Sequence, residues 1–164
     1  MVTPIAKPAL IAHVLDTTVQ APGVTTPVNV NFDTNVLLSK ITHSVSVNPH
    51  NITLTRTGLY VVTFTGLVAK TAGAVARDLD AWFRLGGVDI ANTRRRQTLI
   101  NNNEFHVLKL SLARLFNAGS VLSVAFAVSN AAEGLGFRSI AAAGDRPLAP
   151  SVELTVFKTT KADV

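Results

Sequence analysis

The 164-residue chain contains no cysteine. This absence excludes disulfide bonds, thiol nucleophiles and thiolate metal sites, and it leaves the redox compartment open. Charge is also scarce, because Asp, Glu, Lys and Arg make up only 15% of the residues, whereas 48% are hydrophobic. That composition is too apolar for a disordered chain and less charged than an average soluble domain. We therefore expect part of the apolar surface to contact a partner protein.

Long apolar segments are missing as well. Thr, Ser and Asn interrupt the uncharged stretches well before the about 20 residues that a membrane-spanning helix requires. Residues 1–11 lack the basic start, apolar centre and small-residue cleavage site of a signal peptide. We expect no membrane partner and no export by that route.

The motifs of common enzymes are not found in the sequence. There is no Gly-x-Ser-x-Gly, no phosphate-binding loop and no dinucleotide fingerprint. His13, His43, His50 and His106 show no His-x-His or His-x-x-x-His spacing that would aim two imidazoles at one metal. The sequence therefore predicts no enzyme, no cofactor and no metal site.

Two groups of charged residues suggest binding sites, and each has a simpler interpretation. Asp78 and Asp80 are two residues apart, which on a strand places both carboxylates on one face, where they could hold calcium. We favour solvated or Arg-paired aspartates. Arg94, Arg95 and Arg96 could grip phosphates, but no aromatic residues interleave with them. We favour a charged connection that meets solvent or an acidic neighbour, and we expect no direct nucleic-acid binding.

The first 27 residues carry four prolines and only two charges, Lys7 and Asp16. None of the short apolar pieces between the prolines has a repeating apolar face that could bury itself. We interpret residues 1–27 as an extended N-terminal arm and residues 28–164 as one domain. The larger apolar side chains of the arm then need a surface on which to dock: Ile5, Leu10, Ile11, Val14 and Leu15.

From Val28 onward, alternating or β-branched apolar residues recur and predict strands. The predicted strands cover residues 28–32, 45–47, 52–55, 59–68, 79–85, 88–90, 105–115, 122–128 and 152–156. Segment 105–115 also fits a helical period, but its alternation and the turn residues after it favour a strand.

Turn residues separate these strands. Gly86-Gly87 predicts a tight hairpin, because glycine tolerates the positive φ that such a turn needs. Residues 130–150 are rich in Ala and Gly and predict a long loop with one short strand around Phe137. Long loops of this kind often carry recognition.

About eight to ten short strands and no long helix imply an all-β fold, a two-sheet antiparallel sandwich or jelly roll. Trp82, Tyr60, Phe64 and Phe83 could line a ligand pocket, but in a sandwich such aromatics usually fill the core or an oligomer interface. We favour the core or interface for these four side chains.

Short motifs spread over residues 28–158 resemble the jelly roll shared by the complement globular head and tumour necrosis factor. Asn31-Phe32-Asp33 resembles the first-strand motif of that family, and Gly58-Leu59-Tyr60 resembles its Gly-x-Tyr strand. The strand before Gly86-Gly87 is similar to the family's Asn-Gly hairpin. The segment 107–110, ahead of Gly119, is similar to the one before its Gly-Asp turn.

This resemblance implies a compact homotrimer with the Tyr60 strand close to the three-fold axis. The implied trimer interface contains Tyr60, Val62 and Phe64. Members of the family serve as receptor ligands, as lectin-like recognition heads and, in tailed bacteriophages, as fibre tips and capsid decoration proteins. The chain has neither collagen-like repeats nor a heptad stalk.

A sandwich with one apolar arm is the build expected of a capsid decoration, or cement, protein. We expect a virion protein of the capsid surface, made in the host cytoplasm. Its partners would be itself and the major capsid protein or other shell subunits, which the arm would bind through Ile5, Leu10, Ile11, Val14 and Leu15. The alternative is a recognition head for receptors or glycans, either a phage fibre tip or a bacterial complement-head-like module.

Overall fold

The computed structural model describes residues 8–159, and within this range the chain contains 13 β-strands and no helix. Accordingly, no described helix is long and apolar enough to cross a membrane. The strands form two antiparallel sheets that pack face to face around one core.

Six strands form sheet A, in the order β10-β6-β13-β1-β3, with β12 also paired to β6. Their bounds are β1 Ala9–Asp16, β3 Thr34–Leu38, β6 Gly58–Ala69, β10 His106–Phe116, β12 Gly136–Phe137 and β13 Val152–Thr159. The lower end of this sheet is where β6 begins, and the upper end is where β6 stops.

Seven strands form sheet B, in the order β4-β5-β11-β7-β8, with β2 paired to β11 and β9 paired to β7. Their bounds are β2 Val28–Asn29, β4 Ile41–Thr42, β5 Ile52–Leu54, β7 Arg77–Leu85, β8 Val88–Asp89, β9 Arg95–Leu99 and β11 Ser120–Val128. Several neighbouring strands, such as β1 and β13 or β6 and β10, are distant in sequence, whereas β7 and β8 form a local hairpin. The predicted fold class is confirmed.

Aromatic side chains join the two sheets inside the sandwich. Phe64 of β6 meets Phe137 edge to face, with the ring centroids 5.5 Å apart. Phe126 of β11, in the other sheet, lies 4.9 Å from the same Phe137 ring. All three rings are buried, and such pairs stabilise a core beyond the area that they bury. The aromatics predicted to fill the core or an interface, Tyr60, Phe64, Phe83 and Trp82, have no more than 9% of their surface exposed.

The prediction that residues 1–27 form an extended arm is wrong for residues 9–16. These residues form β1, which lies between β13 and β3 and pairs with both. Its inner side chains include Ile11 and Val14, which belong to the core. Alternation of apolar and polar residues does not reveal this strand in the sequence, because Leu10 and Leu15 on its other face are apolar too. Residues 1–7, including Ile5, lie outside the described residues.

Two local predictions of strand structure are confirmed and one is wrong. Gly86 and Gly87 have φ values of 56° and 82° and form the turn of the β7–β8 hairpin. Residues 106–116 form a strand that pairs along its whole length with β6. Residues 45–47 lie in a bend and not in a strand, with Val45 and Val47 exposed. Alternation alone does not make a strand of residues 45–47, because no neighbouring strand within the described residues pairs with them.

Candidate functional site: the outer face of sheet A

The predicted interface residues Tyr60, Val62 and Phe64 point into the sandwich and are fully buried. The Tyr60 hydroxyl donates a hydrogen bond to the backbone carbonyl of Arg56, 2.5 Å away, within the same chain. Side chains with no exposed surface cannot contact a second subunit, so the assignment of these three residues to an interface is wrong. Because side chains alternate along a strand, the opposite face of β6 presents their neighbours, starting with Leu59 and Val61.

The registers of the strands show which residues share that opposite face. Val61 stands between Ala113 of β10 and Phe157 of β13, and Phe157 stands beside Leu10 of β1. We call this surface the outer face of sheet A. It comprises Leu10, His13, Leu15, Leu37, Leu59, Val61, Thr63, Thr65, Leu67, Val107, Lys109, Ser111, Ala113, Leu115, Glu153, Thr155, Phe157 and Thr159.

Large apolar side chains of this face are exposed in the single chain. Leu115 is 71% exposed, Val107 61%, and Leu59 and Leu10 41% each. Scattered apolar residues on a surface are ordinary, but a contiguous group marks a contact site for another molecule. The lower half of the outer face has that contiguous character, because Leu115 is paired with Leu59 and the row Ala113-Val61-Phe157-Leu10 lies next to them.

An apolar groove of about 570 Å³ lies at the lower end of this face. Leu59 and Leu115 form its apolar lining, together with Thr159 and the backbone at Gly58. Lys158 also lines the groove, and its ammonium lies 6.0 Å from the centroid of the Tyr60 ring. The groove has the dimensions and lining to take a large apolar side chain from another molecule.

Ionisable groups are few on the outer face. They are His13, Lys109 and Glu153, and the His13 Nε2 atom lies 3.6 Å from a carboxylate oxygen of Glu153. The remaining members are aliphatic, aromatic or hydroxyl-bearing side chains. Interfaces between protein subunits are depleted in charge at their centre, as this face is.

The residues predicted to form a shell-binding arm divide between core and surface. Ile11 and Val14 are buried in the core, whereas Leu10 and Leu15 belong to the outer face of sheet A. The docking of Ile11 and Val14 on another subunit is excluded by their burial. Leu10 is 41% exposed and remains able to contact a neighbour, but from a fixed strand.

The opposite surface, outside sheet B, carries paired charges. Arg96 donates two hydrogen bonds to the Asp80 carboxylate, at 3.0 and 2.8 Å, and its third nitrogen lies 3.1 Å from Asp78. The interpretation of these two aspartates as Arg-paired is therefore confirmed. Arg94 lies 3.9 Å from Asp80, so the arginine cluster forms part of the same network.

A second polar contact outside sheet B holds the tryptophan. The Trp82 indole donates a hydrogen bond of 2.7 Å to Asp89, and the Arg84 guanidinium covers the ring at 5.6 Å from its centroid. Hydrogen bonds from Arg84 and then from Trp82 lower the pKa of the Asp89 carboxyl. The charged groups on this surface are therefore paired with one another, in contrast to the exposed apolar side chains on the outer face of sheet A.

Lys70 at the upper end is a buried cation that the sequence does not single out. It has no exposed surface, and its ammonium donates hydrogen bonds to the carbonyls of Gly73 and Val75, at 3.1 and 2.7 Å. The Glu133 carboxylate lies 3.8 Å away. These contacts tie the Lys70 ammonium to the loop between β6 and β7.

Three of the four histidines each have their own partners. His13 contacts Glu153, His106 lies 3.4 Å from Glu104, and His43 hydrogen-bonds Asn35 and the carbonyl of Pro49. Within residues 8–159, no three His, Asp or Glu side chains are grouped closely enough to hold a metal ion. Neither the protein-family models nor the curated proteins contain a match to this chain.

Proposed function

We propose that this chain is a non-enzymatic structural protein of a virus particle. It assembles into a homotrimer through the outer face of sheet A, and the trimer decorates and stabilises the capsid by binding the major capsid protein or other shell subunits. The proposal places the protein on the capsid surface of the virion after synthesis in the host cytoplasm. Direct nucleic-acid binding and membrane contact are not part of it.

The observation that supports self-assembly is the contrast between the two surfaces of the sandwich. Outside sheet B, the charges are paired with one another, whereas the outer face of sheet A exposes contiguous apolar side chains and few charges. Moving a leucine from full exposure to burial stabilises a complex by roughly 1.5–3 kcal/mol. A three-fold assembly repeats this gain at every interface.

Strand β6, which contains Gly58-Leu59-Tyr60, is the one that resembles the family's Gly-x-Tyr strand. Its Tyr60 lies in the core, but Leu59 and Val61, on either side of it, lie on the outer face. The resemblance therefore supports the trimer through the neighbours of Tyr60. Contact with the shell would come from the sandwich itself, because residues 9–16 belong to sheet A.

The first experiment measures mass in solution. Light scattering of the purified chain should give three times the 17.4 kDa of one subunit. The pair of substitutions Leu59→Asp and Leu115→Glu should produce monomers, because it brings carboxylates together in an apolar interface. Val88→Glu is the matched control, since Val88 on sheet B is 71% exposed, as is Leu115. A wild-type chain that is monomeric at micromolar concentration would rule out the trimer.

The second experiment tests the shell. The trimer should sediment together with purified empty shells of the virus that encodes it, at a fixed ratio of trimer to shell subunit. The monomeric pair variant should bind far more weakly, because three linked contacts become one and effective concentration is lost. Failure of the intact trimer to bind shells would contradict the decoration role while leaving the trimer in place.

A recognition head for receptors or glycans is the second candidate. It is favoured by a depression of about 300 Å³ outside sheet B, in which Trp82, Ile90 and Ala91 lie beside the polar groups of Asp80, Asp89, Asn92 and Arg94. An aromatic ring with polar groups beside it suits a sugar. This candidate predicts binding to host cells or glycans that Asn92→Ala reduces and that the Leu59 and Leu115 substitutions affect only through loss of avidity.

A further inference from the structure

The long loop before β13 contains a hairpin, residues 140–149, that does not contribute to the core. Ile140 and Ala149 exchange backbone hydrogen bonds at 3.0 and 2.9 Å, and Ala143 and Arg146 exchange two at 3.1 Å. Gly144, with φ at 57°, occupies the first central position of the tight turn, where a positive φ is required. The loop at 140–149 is therefore a defined structural element.

This hairpin rises near the upper end of the outer face of sheet A, where β6 stops. The backbone of Leu67 bonds both of its stems, accepting from Arg138 at 2.9 Å and donating to Ser151 at 2.8 Å. The core fills the inner side, where Phe137 and Val152 are buried. Ala149 and Pro150 border a depression with Thr65 and Leu67, so the hairpin leaves the sheet by its outer face.

The chemistry of the hairpin is apolar and self-complementary. Residues 140–148 are all exposed, including Ile140 at 42% and Leu148 at 43%. Asp145 and Arg146 stand next to each other at the tip, and neither has an ion-pair partner within residues 8–159. In a cyclic arrangement of three copies, the Asp145 of each tip can face the Arg146 of the next.

We propose that the hairpins of three subunits pack against one another around the three-fold axis and close the upper end of the trimer. This inference rests on the proposed homotrimer and names a contact within it. Ile140, Leu148 and the alanines between them supply the apolar contact, and Asp145 with Arg146 supplies the register. The lower half of the outer face forms the rest of the interface.

The position of the hairpin favours a second copy of this chain as its binding partner. β6 lies in the interior of sheet A and its Leu67 bonds both stems, so the hairpin projects toward the axis when the outer face lies at the centre of a trimer. Asp145 and Arg146, which have no ion-pair partner among the described residues, carry opposite charges that complement an identical tip. A hairpin reserved for the shell would be expected at the periphery.

The test uses the absence of cysteine, because a single introduced thiol is unique in the chain. Ala142→Cys in the full chain should form disulfide-linked dimers under mild oxidation at low micromolar concentration, since disulfides need Cα atoms within about 7 Å. Val88→Cys, at a position that is also exposed but lies on sheet B, should remain uncrosslinked. A second crosslinking experiment uses a short bismaleimide, which joins thiols that are close together but do not have the geometry of a disulfide.

Charge reversal provides the second measurement. Asp145→Arg and Arg146→Asp should each raise the trimer dissociation concentration about tenfold, and the double swap should return it close to the wild-type value. A wild-type monomer in light scattering would overturn both this inference and the proposed trimer. A stable trimer in which Ala142→Cys is crosslinked no more than Val88→Cys, or in which the single charge reversals have no effect, would overturn the inference alone.

Discussion

Arg77 donates two hydrogen bonds to one carboxylate oxygen of Glu133, from Nε at 3.0 Å and from Nη2 at 2.6 Å. The contact joins the first residue of β7 to the loop that precedes β12. The backbone carbonyl of Glu133 also accepts hydrogen bonds from Thr71 and Ala72. Glu133 thereby holds three segments together at the upper end of the sandwich.

Glu133→Gln should lower the melting temperature at neutral pH, because it weakens the ionic contacts to Arg77 and Lys70. The hydrogen bond from Arg77 lowers the pKa of the Glu133 carboxyl from its usual 4.5. Its stabilising effect is therefore present above pH 4.5 and is lost as the pH falls through the lower folded-state pKa. Thermal unfolding of both proteins should show a difference at pH 7 that shrinks in acid. Equal melting temperatures at pH 7 would show that the contact adds no net stability.

Ile11→Ala and Leu10→Ala should differ sharply although the residues are neighbours. Ile11 is 4% exposed and lies in the core, so its truncation should cost about 2–5 kcal/mol of unfolding free energy. Leu10→Ala should change the stability of the isolated subunit by less than about 0.5 kcal/mol, since surface substitutions usually have small effects. Urea unfolding of the monomeric pair variant, carrying each change in turn, measures both values. Small effects from both would favour an undocked arm.

Gly66→Ala should destabilise the core. A Cβ atom added to Gly66 would come within 2.4 Å of the buried Phe137 ring, too close for real atoms. Overpacking of this kind costs about 1–3 kcal/mol. Gly23→Ala, where the added carbon meets nothing within 4 Å, is the control. The double variant Gly66→Ala with Phe137→Leu should be more stable than the sum of the single effects predicts, because the smaller side chain relieves the clash. Strict additivity in denaturant unfolding would argue against this contact.

Asp16 should make stability depend on pH in the direction opposite to Glu133. The residue is 2% exposed, and burial raises the pKa of its carboxyl above the usual 3.8, while hydrogen bonds from Thr18 oppose the shift. The folded protein holds this proton more tightly than the unfolded chain does. The contribution of Asp16 to stability is therefore full below pH 3.8 and is lost as the pH rises through the folded-state pKa.

The comparison with Asp16→Asn isolates this effect from the other carboxylates. The unfolding free energy of the wild type minus that of the variant should decrease between pH 3 and pH 7. The variant also places an amide donor against that of Gln20, which now donates to Asp16 at 2.9 Å, so it should be less stable by about 1–3 kcal/mol where Asp16 is protonated. A pH-independent difference would contradict the raised pKa.

The sequence by itself determined the all-β class, the Gly86-Gly87 hairpin and the strand at residues 59–68. These features depend on local physics, because alternation reports one buried face and adjacent glycines report a turn with positive φ. The same reasoning failed at residues 9–16, where both faces of β1 are apolar and no alternation is visible. It also failed at residues 45–47, where alternation exists but no strand is adjacent.

Only the tertiary structure decided which side of β6 faces outward. Sequence alternation separates Tyr60, Val62 and Phe64 from Leu59 and Val61, but it cannot say which set faces the second sheet, because both sets are apolar. The packing of Phe64 and Phe126 against Phe137 settles the question and leaves Leu59 and Leu115 on the outer face. The rise of the 140–149 hairpin from that face depends on pairing between Leu67 and distant residues, which no local pattern reports.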